Sequence, residues 1–191
     1  MWLKLVLGAF GAIFLLGAYW LYSSAFGLET AQYRVAVKEE AFEIRDYPEL
    51  PVATTAMRAG GDDSAFRKLF RFIQGGNDQQ EKIAMTTPVF VDREGEQERM
   101  SFVVPKEVDQ NGSPDPTIEG VEIDRRPAVR VAVYGFSGVA NEDLKQRALQ
   151  KLQDWMAARQ IEPDGDPIYA YYDAPFIPGP FRRNEVMLRI R

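Results

Sequence analysis

The chain contains no cysteine and no histidine among its 191 residues. Without cysteine there are no disulfides, thiolate zinc sites, cysteine nucleophile or lipid-modified N-terminal cysteine. Without histidine the usual general base at neutral pH and the usual metal ligand are gone, and the serines have no partner for a hydrolase triad. Positive charge is also in deficit. Lys and Arg number 23 against 28 Asp and Glu, a net charge of −5, which disfavours nucleic acid as a partner. Gly60-Gly61 and Gly75-Gly76 lack a following Gly-Lys-Ser/Thr, so neither is a phosphate loop. No acidic pair has the spacing of a hard-cation site, and Asp62 and Asp63 read as helix caps.

One long apolar run is present. Leu5 to Tyr22, LVLGAFGAIFLLGAYWLY, holds 18 uncharged residues, close to the roughly 20 that cross a bilayer as a helix. It has no polar face, unlike a surface helix of a globular core. Tyr19, Trp20 and Tyr22 gather at its far end; Lys4 precedes it, and Glu29 is the first charge beyond it. Aromatics belong at the interface and cations on the cytoplasmic side. The expectation is an N-terminal transmembrane anchor over residues 1–25: a single pass through the inner (cytoplasmic) membrane, with residues 26–191 outside the cytoplasm. The alternative is a signal peptide cut near Ser23 to Ala25, leaving a periplasmic or secreted domain.

The remainder suits one globular domain, with 46% hydrophobic and 12% aromatic residues over the chain. It also repeats itself. FEIRDYPELPVATTAMRAG, from Phe42, and VEIDRRPAVRVAVYGFSGV, from Val121, are offset by 79 residues, which places Glu43 over Glu122, Ile44 over Ile123, Pro48 over Pro127 and Val52 over Val131. Each copy reads as two strands parted by a proline corner, then an amphipathic helix, then two more strands. The first helix follows Asp62, Asp63 or Ser64, carries Phe66, Leu69, Phe70 and Ile73 on one side and stops at Gly75-Gly76; the second starts near Asn141. An extra strand is expected at Tyr33 to Val37. The expected fold is α+β: duplicated ββαββ units, about 40–105 and 119–191, forming a distorted antiparallel β-barrel flanked by two α-helices and preceded by the transmembrane helix.

Three stretches stand in order along this frame: YPELPVATTAM, FRFIQGGNDQQEKIAMTTPV and YDAPFIPGPFRRNEVMLRI. Together they resemble the SOUL haem-binding protein family, from roughly Tyr33 to Arg191, as a bacterial, membrane-anchored member. The resemblance implies the duplicated barrel and a tetrapyrrole ligand, haem b or another porphyrin, in an apolar cleft where the first helix faces the sheet. Carried over residue by residue, it implies a cofactor-binding set of Phe66 and Phe70 on the helix, Arg71 as the basic group at a propionate, Met85 in the MTTPV strand, and Tyr172 and Phe176 in YDAPF. It implies a carrier, buffer or scavenger rather than an enzyme, with no metal-ligating or catalytic residue assigned. With histidine absent, the ring is held by burial and propionate pairing, or the iron takes Tyr, Met, Lys or water.

Two other readings remain open. Glu185, on a strand, becomes an acid or base if it points into an apolar barrel, which makes the protein a hydrolase or a sensor of a small hydrophobic molecule. A ligand-free structural envelope protein is the third. Arg182 and Arg183 are candidates for gripping a carboxylate. In KIAMTTPV, residues 82–89, Ile83, Met85, Thr87 and Val89 share one face of a strand, and Pro88 is expected at an edge or bulge.

Overall fold

A computed structural model describes residues 28–57, 64–174 and 176–191. The expected anchor over residues 1–25 lies outside them. Among the described residues no helix is long and apolar enough to cross a membrane.

The succession strand, strand, helix, strand, strand occurs twice. The first run is β3 (Phe42–Tyr47), β4 (Leu50–Ala56), α1 (Ser64–Ile73), β6 (Val89–Glu94) and β7 (Gln97–Val103). The second is β8 (Val121–Arg126), β9 (Val129–Ser137), α3 (Glu142–Ala157), β10 (Ile168–Tyr171) and β11 (Arg183–Arg189). Ahead of them come β1 (Glu29–Thr30) and β2 (Arg34–Glu39); β5 (Thr86–Thr87) precedes β6, and the short α2 (Lys106–Asn111) lies between the runs. Nine strands form one antiparallel sheet in the order β2-β3-β9-β11-β10-β6-β7-β4-β8, while β1 and β5 form a separate parallel pair.

The proline corners set this order. Pro48 and Pro127 part β3 from β4 and β8 from β9, and neither pair is hydrogen-bonded. Each corner instead sends the chain across the sheet, so β3 pairs with β9 and β8 with β4. The registers correspond. Arg45 lies opposite Val131 and Asp124 opposite Val52, with both members displaced by the same 79 residues. The two halves of the sheet are therefore related by a pseudo-twofold axis, each completed by the other copy's first strand.

Alternation along the strands divides the core. Ala53 on β4 joins Leu69, Phe72 and Ile73 of α1, and Ala132 on β9 joins Ala148, Leu152 and Met156 of α3. Their neighbours Val52, Val131 and Val133 face the other way, into a third cluster with Tyr47, Phe90 and Met187. Both helices thus cover one face of the sheet, and its curl encloses the other.

The expected barrel does not close. The sheet is a curled half-barrel with β2 and β8 as edges. All six residues of β2 are exposed, its pairing with β3 shifts at a bulge between Val35 and Val37, and β8 carries Glu122, Asp124, Arg125 and Arg126. Bulges and charges are what keep an open edge from pairing. KIAMTTPV also departs from expectation. Pro88 is fully buried between β5 and β6, next to a central strand rather than at an edge, and the Thr87–Pro88 bond is cis. The two threonines are buried as well: Thr86 donates its hydroxyl to Val103 O at 2.6 Å, and Thr87 O accepts from Ala31 N at 2.8 Å.

Candidate functional site

Helix α1 builds one wall of an apolar cleft. Its fully buried stripe is Ala65, Leu69, Phe72 and Ile73, so the face expected from the sequence is turned slightly and Phe66 and Phe70 fall beside the core. Phe66 packs edge-on against Phe102, with centroids 5.4 Å apart, and stacks with Phe70 at 6.0 Å. Phe70 is 43% exposed, an unusual place for a ring that a core stripe would bury.

The turn after α1 leads to the floor. Gly75 has φ +103°, and a Cβ on Gly76 would lie 2.7 Å from Arg71 O, so both positions require glycine. Buried Asn77 then donates from Nδ2 to Phe72 O at 3.3 Å and Glu81 O at 2.8 Å, and accepts at Oδ1 from Glu81 N at 3.0 Å. This clasp leads the chain back to Met85. The inter-copy segment closes over it through Asp115 N to Asp78 Oδ1 and Thr117 N to Gly76 O. Gly-Gly-Asn-Asp is therefore a scaffold for the cleft and not part of its lining.

The cleft has a volume of about 530 Å³, within the range of roughly 300–1,000 Å³ usual for small-molecule sites. Its floor holds Met85, Met100 and Tyr171, which also pack on the α1 cluster. Phe66 and Phe70 line one side; Tyr172, Phe176 and Arg182 come from the opposite loop. Five of the six residues singled out from the resemblance, Phe66, Phe70, Met85, Tyr172 and Phe176, thus meet at one cleft. Arg71 does not line it. Arg71 is exposed on the outer side of α1, and the cation on the cleft wall is Arg182, whose Nε donates to Ile177 O at 2.7 Å.

Met100, Tyr171, Val139 and Leu28 line the cleft without having been singled out. Tyr171 was within reach of a period-two reading, since the alternation in IYAY puts Tyr169 and Tyr171 on one face. Met100 had no such signal. Its place depends on β7 pairing with β6, where it lies opposite Val91.

Glu185 points inward, but not into an apolar space. Its two oxygens accept from Arg45 Nη1 and Nη2, both at 2.8 Å, and Oε2 also accepts from Tyr172 Oη at 2.7 Å. Arg45 Nε donates to Glu43 at 2.6 Å, and the Arg45 guanidinium lies 4.2 Å from the Tyr33 ring centroid. Burial disfavours the Arg45 charge, yet the bonds from Glu185 outweigh it and its pKa is raised. Burial likewise pushes Glu43 up, and the hydrogen bonds from Lys38 and Arg45 more than reverse this. Glu185 is the carboxylate of a bidentate buried pair, already engaged as an acceptor. That arrangement suits a structural hub rather than a proton carrier.

The pseudo-twofold relates this hub to a solvent-facing polar cluster on the other half of the sheet. Glu185 lies opposite Gly135, and Arg99 lies opposite Ala56, its equivalent 79 residues earlier. Where one half has Arg45, Glu185 and Tyr172, the other has Asp124, Arg99 and Glu94 at corresponding places, with Arg99 paired to Glu94 and Glu122. Charge sign is reversed at two corresponding positions, Arg45 against Asp124 and Glu185 against Arg99, but only the first set is buried.

Tyr172 joins hub and cleft. Its ring lines the apolar cleft while its hydroxyl holds Glu185. Burial and the nearby Glu185 charge raise its pKa, and burial does the same to Tyr171, so both phenols stay protonated.

A curled antiparallel half-barrel with two helices on one face and an apolar cleft at the edge of the first defines an α+β domain with a small-molecule-sized site. Residues 28–189 match the family model described as SOUL heme-binding protein, and the chain belongs to that family. Among curated proteins none matches. Several solved structures are similar in fold. The EcmrR C-terminal domain aligns with TM-score 0.56 at 15% identity, over 83% of this chain and 98% of that one. A hydrolase from Listeria innocua aligns with TM-score 0.54 at 13% identity, over 82% and 94%. An uncharacterized conserved protein from Listeria innocua gives TM-score 0.58 at 13% identity, over 81% and 94%. At these identities the likeness is one of fold alone.

Proposed function

We propose that this SOUL-family protein is a tetrapyrrole carrier, buffer or scavenger that holds haem b or a related porphyrin in the cleft beside α1. The observation that carries the reading is the lining: two stacked phenylalanines, two methionines and two tyrosines around about 530 Å³, with a single arginine, Arg182, on the wall. A flat apolar ring gains from burial against aromatics, and one guanidinium suits a propionate. Burying roughly 300 Å² at about 25 cal/mol per Å² supplies about 7 kcal/mol before the costs of association.

Arg182 takes the propionate role in place of Arg71. The donor set fits a ring held without a strong axial ligand. The Tyr172 hydroxyl is engaged with Glu185 Oε2 at 2.7 Å, and Met85 and Met100 offer only soft, neutral thioethers. The porphyrin supplies the colour and any iron chemistry, while the chain supplies burial and orientation. The domain is further proposed to work outside the cytoplasm, tethered to the inner membrane by the apolar run at residues 5–22.

Absorption and electron paramagnetic resonance of the haem complex test the ligation. A spectrum unchanged by Met85→Leu and Met100→Leu supports a ring held by burial. Loss of a strong-field spectrum in either variant overturns that part of the reading.

A further inference from the structure

Among the described residues, two of the large apolar side chains left in solvent, Val35 and Val37, lie on edge strand β2, and the others gather in one place. Leu28, Phe70, Val139 and Phe176, between 43% and 74% exposed, all line the mouth of the one cleft, and Phe181, 67% exposed, lies next to Arg182 in chain. Contiguous exposed apolar surface marks a place of contact. The helix beside it is equally distinctive. SAFRKLFRFI carries Arg67, Lys68 and Arg71 and no acid, within a chain of net charge −5. Arg67 and Arg71 are exposed and follow Phe66 and Phe70 around the helix. Aromatics bordered by cations are the pattern of a helix lying at a lipid interface.

We propose that the mouth of the cleft docks on the surface of an anionic lipid bilayer, with Phe70, Val139 and Phe176 entering the interface and Arg67 and Arg71 meeting lipid phosphates. The length of chain supports this partner. The uncharged run ends at Tyr22 and the cleft already begins at Leu28; six residue steps reach at most about 20 Å when fully extended. A second copy is the poorer occupant, because a twofold contact would set the same cationic strip against itself. The proposal rests on the membrane-tethered reading above and not on which ring the cleft takes. Docked this way, the cleft opens toward the phase in which an apolar ligand concentrates.

The absence of cysteine makes the test direct, since any introduced thiol is the sole labelling site. The full chain is reconstituted, without tetrapyrrole, into vesicles of phosphatidylcholine with phosphatidylglycerol and nitroxide-bearing lipid. A nitrobenzoxadiazole label is placed at Val139→Cys or Phe176→Cys, and at Glu96→Cys in the β6–β7 turn, outside the cleft lining, as control. Strong lipid quenching at both mouth positions and little at Glu96 is expected. Arg67→Gln with Arg71→Gln should weaken the docked state roughly fivefold per cation removed, and leaving out phosphatidylglycerol should weaken it similarly. Mouth labels quenched no more than the Glu96 label overturn the proposal. So does failure of the chain to float with vesicles, or a mouth protected through lipid-independent cross-linking of Val139→Cys between copies. None of these readouts involves a porphyrin, so tetrapyrrole binding stands or falls separately.

Discussion

Arg45 and Glu185, 140 residues apart in the chain, meet through two hydrogen bonds of 2.8 Å in the interior of the half-barrel. The pair ties β3 of the first copy to β11 of the second, and Tyr172 extends it to the wall of the cleft. Breaking a buried pair leaves the surviving charge uncompensated, at a cost of about 3–5 kcal/mol. Arg45→Met should therefore lower unfolding free energy on that scale, measured by urea denaturation. Arg45→Met with Glu185→Met should recover much of the loss, since an apolar replacement of both partners is often neutral.

Glu185→Gln separates the hub from the cleft. Glutamine keeps an acceptor for Tyr172 and loses the charge facing Arg45, so stability should fall while porphyrin affinity stays within a few fold. A collapse of binding in a variant that remains folded would give Glu185 a direct role in the site.

Phe66 and Phe70 should behave differently from one another. Phe66 packs on Phe102 and the α1 cluster, and Phe66→Ala should cost about 2–3 kcal/mol of stability. Phe70 is 43% exposed, so Phe70→Ala should change stability by no more than about 0.5 kcal/mol while weakening porphyrin binding. Thermal melts and ring titrations on the same two variants check both halves of this statement.

Asn77→Ala should loosen the cleft from behind. It removes three hydrogen bonds made by a buried amide, while Phe72 O keeps its bond from Gly75 N, so the cost should be about 1–3 kcal/mol in all. Hydrogen exchange of residues 72–85 should accelerate in this variant.

Two pH limits follow from the shifted groups. Hydrogen bonds from Arg130 and Arg34 hold the Asp46 carboxyl down at about 2. A depressed carboxylate contributes stability that is complete above its unfolded value, about 4, and is lost as pH falls toward 2. Asp46→Asn should flatten the acid limb of the stability profile in that window. At the alkaline end, burial pushes Tyr47 up to about 12 and raises Tyr171 and Tyr172 as well. Their contribution is complete below the unfolded value, about 10, and is lost as pH rises through the folded values, so phenolate absorbance of these tyrosines should appear together with unfolding.

Much of this arrangement was legible in the chain because duplication and periodicity are local signals. The 79-residue offset between Glu43 and Glu122 disclosed two ββαββ runs, and the helix stripes fell at expected spacing. What stayed hidden was long-range. The proline corners were legible as corners, but not that Pro48 and Pro127 carry the chain across the sheet and exchange first strands between copies. Five cleft residues emerged from the resemblance, yet Met100 depended on strand pairing and Arg182 on the fold of the loop after β10. Arg71 came from the resemblance as the cation at the ring, but it stands one step along the helix from Phe70, and one step turns a side chain by more than a quarter of a circle. Glu185 required knowing that Arg45 faces it, which no local pattern encodes.

The central claim is that the α1 cleft binds the ring and that no axial ligand is needed. A titration followed through the Soret band for haem, and through fluorescence for iron-free protoporphyrin, tests it with the unmodified protein and with Phe70→Ala/Arg182→Gln. The account predicts saturable binding of both rings with similar affinity, tighter than about 100 μM, or roughly −5 kcal/mol, and weakened in the variant. No saturable change with either ring, or full affinity in a folded variant, would contradict it.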